Sequence, residues 1–173
     1  MGELAAFFAL GAAGSIGVGP GLQTLTLQLL PYVQEHGWAA RSVAAVLFFH
    51  VGSALAELPP YLVAKKLGGG AAPAALIRVF RRHGFVAVFA ASCWPNPFID
   101  AAGVAAGLAR VPLRHTAAGL VAGKVCKGLV QMLLVLQTGL VEPYAAQIEA
   151  ASLLSAALTV IMTLTALLRW IGG

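Results

Sequence analysis

The chain has 173 residues, 60% of them hydrophobic and 10% charged, with 11 Lys and Arg against 6 Asp and Glu for a net charge of +5. A soluble domain is about a quarter charged, so the composition excludes an ordinary water-soluble core and predicts a membrane protein. Nucleic acid is not the expected partner of the positive balance, because no basic stretch is interleaved with aromatics and the cations flank apolar runs instead.

The first apolar segment, 4–34, contains GSIGVGPGLQT, in which Gly17, Gly19, Pro20 and Gly21 interrupt any continuous helix. It is predicted to be a re-entrant hairpin. Met1-Gly2-Glu3 ahead of it carries no cation, which argues against a cleaved signal peptide. Residues 42–65 form the first predicted transmembrane helix, ending in Lys65 and Lys66. Pro59 and Pro60 within it should kink the helix and free backbone carbonyls beside Glu57. The cluster Lys65, Lys66, Arg78, Arg81 and Arg82 places the following loop in the cytosol and in reach of anionic headgroups.

Residues 84–110 hold SCWPNPFIDAAGVAAG. If they crossed fully, Arg110 and Arg114 would emerge opposite the first basic cluster, against the charge rule. A second re-entrant hairpin keeps these cations on one face. At its turn Asn96 can cap the returning half, Pro97 suits the first helical position, and Asp100 falls in the first turn, where the dipole favours an anion. Residues 112–141 then cross outward, an acidic loop around Glu142 and Glu149 follows, and 150–171 return to Arg169. The expected fold is an all-α polytopic membrane protein, a single membrane domain over 1–173. It is an inverted repeat of two re-entrant helical hairpins, each followed by a transmembrane helix, plus a C-terminal transmembrane helix.

Two ionisable groups remain inside the apolar spans. Glu57 lies eight residues before Lys65, about 12 Å deep at helical rise. Lys124 lies ten residues past Arg114, at about 15 Å. Unpaired charge is costly at such depth, so Glu57 is expected to face Lys124 or Lys127, or these groups to line a wet cavity. Lys124, Lys127 and Gln131 share one helical face. Gly103/Gly107 and Gly119/Gly123 are spaced for close helix approach. No metal site, cofactor, hydrolase elbow or paired-carboxylate arrangement is expected, so the chain is not predicted to be an enzyme; Cys93 and Cys126 are expected to be small packing residues.

Three stretches carry a family resemblance: GSIGVGPGLQTLTLQLLPY, FFHVGSALAELPPYLVAKKLG, and ASCWPNPFIDAAGVAAGLARVPLRHTAAGLVAGKVCKGLVQ. Together they resemble the vacuole membrane protein 1 family of the DedA superfamily (VTT domain) over most of residues 11–137. The resemblance implies an endoplasmic-reticulum protein that scrambles phospholipids between leaflets without ATP, supporting autophagosome formation and lipid distribution. Its site would comprise Glu57, Pro59, Pro60, Pro95, Asn96, Pro97 and Asp100, with Gly17, Gly19 and Gly21 shaping the opposing loop; Lys124 and Lys127, placed by their depth and spacing, would line the same lipid path. Phospholipids would be its partners, with autophagy or contact-site proteins beside them. Bacterial relatives carry an acid in the first broken loop and an arginine in the second, and neither stands at those places here, which weakens the case for proton coupling. Two rival functions are a proton- or ion-coupled secondary transporter of lipids or small molecules, which would require a gradient, and a contact-site scaffold, which would tolerate loss of the intramembrane charges.

Overall fold

A computed structural model of the chain describes residues 2–16, 29, 31–67, 73–93 and 101–138. Every regular element among them is a helix: α1 Gly2–Ile16, a short α2 at 31–36, α3 Ala40–Ala56, α4 Leu58–Leu67, α5 Ala74–His83, α6 Phe85–Cys93, α7 Ala101–Leu108 and α8 Leu113–Thr138. Two stretches, Ala40–Leu67 and Leu113–Gln137, are long and apolar enough to cross a membrane. The expected helix at 150–171 and both interrupted turns lie outside the described residues.

The span expected at 42–65 is two helices in series. Pro59 and Pro60 have no amide to offer the carbonyls of Leu55 and Ala56, so the ladder lapses at Glu57. The Glu57 amide donates three residues back to the Ala54 carbonyl at 3.3 Å, and the ladder resumes when the Tyr61 amide donates to the Glu57 carbonyl at 3.1 Å.

Glycines set how the helices approach. A Cβ on Gly119 would meet Val88 and Phe85, and one on Gly123 would meet Phe89 and Ser92, so α6 runs parallel to α8. Gly103 lies against Glu57, and Gly107 against Tyr61 and Ala64, so α7 runs parallel to α4. His50 against Gly128 and Ser53 against Lys124 make α3 antiparallel to α8. It follows that α6 and α7 run in opposite senses, and they touch each other much less than they touch α8 and α4. Their outer ends converge: Arg81 Nε donates to the Ala109 carbonyl at 3.3 Å, and residues 80–85 and 109–112 line one cavity. The outer ends of α6 and α7 therefore lie at the same end of the bundle.

The N-terminal segment also folds back. Phe7 meets Tyr32 edge to face at 4.9 Å, and Leu4, Phe7 and Leu10 pack with Leu29 and Val33. The α1/α3 crossing sits at Gly11 and Gly52, where the partner backbone leaves no room for a Cβ.

Helix α5 stands where the basic residues 78–82 suggest a loop. Ile77 and Phe80 are buried while Arg78, Arg81 and Arg82 are exposed, an amphipathic arrangement. It stops at Gly84, whose φ of +42° turns the chain directly into α6 and whose amide donates to the Phe80 carbonyl at 2.9 Å. Beside a buried apolar core that includes Phe49, Tyr61, Leu120 and Met132, the bundle has apolar side chains outside and polar ones inside. Phe48, Leu55, Leu62, Val63, Leu129, Val130, Leu133 and Leu134 are exposed, while Ser42, His50, Ser53, Glu57, Thr116, Lys124 and Gln131 are buried.

Candidate functional site

The centre of the polar interior is an ion pair between Glu57 and Lys124, which are 1% and 2% exposed. Glu57 occupies the lapse between α3 and α4, and Lys124 reaches it from the middle of α8. The ammonium also donates to Ser53 Oγ at 2.6 Å and lies 3.4 Å from the Ser53 carbonyl, so its three protons have three acceptors. The second carboxylate oxygen of Glu57 accepts from the Gly103 amide at 3.3 Å. Gly103 lies in the first turn of α7, where amides lack intrahelical partners and the dipole favours an anion. Glu57 is thus compensated twice, by a cation and by a helix start. A Cβ at position 103 would stand 3.0 Å from the Glu57 carbonyl, so glycine is what allows the approach.

Around this pair the interior stays polar. His50, one turn before Ser53, is buried with its ring at 5.2 Å from that of Phe49, and the charges of Lys124 and Lys127 act on it. Lys127 is half-buried, and Gln131 is buried two turns beyond Lys124 on the same face of α8. Cys93 on α6 and Cys126 on α8 are free, half-buried thiols. Among the described residues no three His, Cys, Asp or Glu side chains come together to hold a metal.

Of the site residues expected from sequence, the structure brings Glu57 and Lys124 together, and Lys127 is half-buried one turn further along α8. Pro59 and Pro60 are exposed on α4 and act on the site through the backbone lapse that they impose. Pro95, Asn96, Pro97, Asp100, Gly17, Gly19 and Gly21 lie outside the described residues. Sequence reasoning missed Ser53 and His50, although the positions 50, 53 and 57 form a polar stripe at helical spacing through an apolar span. It read Gly103 as a packing residue only, and nothing in its spacing shows that its amide meets a carboxylate.

The arrangement holds two opposite charges, a hydroxyl and a helix N-terminus in a region screened by apolar side chains. These groups satisfy one another within the protein, and a zwitterionic group, whose phosphate and amine need both kinds of partner, would have to exchange with those contacts. No family model matches the chain, and no curated protein or solved structure matches it.

Proposed function

We propose that the chain is an integral membrane protein of the endoplasmic reticulum, similar to the vacuole membrane protein 1 family of the DedA superfamily, that scrambles phospholipids between leaflets without ATP. On this reading it supports autophagosome formation and lipid distribution. The observation that carries the proposal is the buried Glu57–Lys124 pair with Ser53 beside it, in a bundle that leaves Leu and Val side chains exposed along α3, α4 and α8. Burying charges inward while exposing Leu and Val is unfavourable in water and favourable in lipid. The meeting of the outer ends of α6 and α7 at one end of the bundle supports a hairpin dipping into the bilayer from the basic side, an arrangement tolerated where its broken backbone is covered by protein or faces water. The headgroup would follow the polar stripe with its acyl tails in lipid, which lowers the desolvation barrier to crossing hydrocarbon.

The test is reconstitution of the chain into liposomes carrying a fluorescent phospholipid, with a membrane-impermeant quencher added outside. Expected is loss of nearly all fluorescence in vesicles that contain the protein, against about half in empty ones, which hold the probe equally in two leaflets. Equal loss in both overturns the proposal. The buried pair also favours a second reading, a proton- or ion-coupled transporter, since such pairs lie on proton routes. That reading requires lipid movement to stop when the gradient is collapsed, whereas scrambling proceeds in both directions without one.

A further inference from the structure

A cavity of about 430 Å³ opens where the ends of α5, α6, α7 and α8 meet. Small-ligand sites span roughly 300–1,000 Å³, so this one has room for a phosphorylated headgroup and not merely a bare oxyanion. Arg81, Arg82 and His83 come to it from α5, Arg110 from the turn after α7, and His115 from α8. None of the described residues lining it is acidic. The bond from Arg81 Nε to the Ala109 carbonyl ties the α5 wall to the α7 wall.

Arg110 is in an unusual conformation for its residue type. Its φ is +57°, and no other residue besides glycine has a positive φ among those described. The Arg110 amide donates to the Gly107 carbonyl at 2.9 Å and the Val111 amide to the Ala106 carbonyl at 3.0 Å, the paired bonds that close a helix through a left-handed residue. Glycine is the usual occupant because no Cβ opposes that conformation. An arginine is kept here against its backbone preference, at the wall of a cavity already rich in cations.

We infer that this cavity binds the phosphate of an anionic headgroup. The forked guanidinium donors of Arg81, Arg82 and Arg110 match phosphate oxygens, and His83 and His115 complete the polar wall. A free phosphate ester and a lipid headgroup offer the same group. Helix α5 favours the lipid, because its exposed Leu76 and Val79 beside exposed arginines suit the level where headgroups meet acyl chains. This inference rests on the membrane placement proposed above and needs no transbilayer movement, so the liposome assay and the binding assay below fail independently.

The purified full chain in detergent micelles is mixed with short-chain phosphatidic acid, with phosphatidylcholine of the same acyl length, or with inorganic phosphate, and bound ligand is counted by native mass spectrometry. Phosphatidic acid is expected to bind more tightly than phosphatidylcholine. Arg110→Gly should weaken it about tenfold, the effect of one lost charge-assisted pair, while the Tm holds or rises because the backbone strain is relieved. Arg78→Gln removes a like charge from an exposed position of α5 that does not line the cavity, and should change affinity by less than about twofold. Where inorganic phosphate displaces the bound lipid at comparable concentration, the site serves free phosphate; where it does not, the site serves the lipid. Undiminished binding in Arg110→Gly, or an equal loss in Arg78→Gln, overturns the inference.

Discussion

Neutralising one member of the Glu57–Lys124 pair should destabilise the protein more than neutralising both. In Glu57→Gln the amide oxygen can still accept from the Gly103 amide, and Lys124 keeps Ser53 Oγ and the Ser53 carbonyl, but a buried cation is left without its counter-charge. Removing one partner of a buried pair costs about 3–5 kcal/mol, and these surviving contacts place the loss near the lower end, about 3 kcal/mol. Lys124→Met leaves a buried carboxylate that still accepts from the Gly103 amide but has lost its counter-charge, so its loss should fall near the upper end, about 5 kcal/mol. The double variant has no buried charge to compensate. Its residual loss should be about 1–2 kcal/mol, chiefly from the Ser53 hydroxyl left without the ammonium. Unfolding in mixed micelles, titrated with a denaturing detergent and followed by circular dichroism, reads all four proteins on one scale. Singles whose losses simply add in the double would refute the coupling, and with it the idea that each charge is held by the other.

Gly107→Ala should cost about 1–3 kcal/mol by overpacking, because its Cβ would press on the Tyr61 carbonyl and stand 3.0 Å from the Lys65 amide nitrogen, both backbone atoms. Gly2→Ala, with nothing within 4 Å, should leave the Tm unchanged; equal effects from both would count against the α4/α7 contact. Tyr61→Phe removes the 2.7 Å bond from the phenol to the Val111 carbonyl and should lower stability by about 1–3 kcal/mol, read as a fall in Tm with unchanged helix content. For topology, His83→Cys and Leu113→Cys in a background lacking Cys93 and Cys126 should react with a membrane-impermeant maleimide from the same side. Labelling from opposite sides would mean that 84–110 crosses outright.

Scarcity made the ion pair legible: with few ionisable residues inside long apolar runs, an acid and a base at matched depth have few other partners to find. The lapse at Glu57 was legible too, because two adjacent prolines remove two ladder donors whatever surrounds them. Ser53 and Gly103 were not. Which hydroxyl or amide completes a charge's shell depends on how neighbouring helices are rotated, and in a span where nearly every position is apolar, periodicity does not give the rotation. The same holds for α5, where Ile77 and Phe80 alone mark the buried side of a ten-residue helix amid basic residues that read as a solvated loop. Arg110 carried no signal of its left-handed backbone, since glycine is the residue by which that conformation is ordinarily recognised.

Helices α4 and α7 form one slab of the molecule and α6 and α8 another, and the arms of the 84–110 segment are shared out between them. Glu57 belongs to the first slab and Lys124 to the second, at the height where two prolines have already removed the ladder bonds that would stiffen the joint. The bundle is fastened where it is easiest to bend. Any swing of α4 away from α8 must unfasten that clasp, and the parted charges then draw in water or a polar guest.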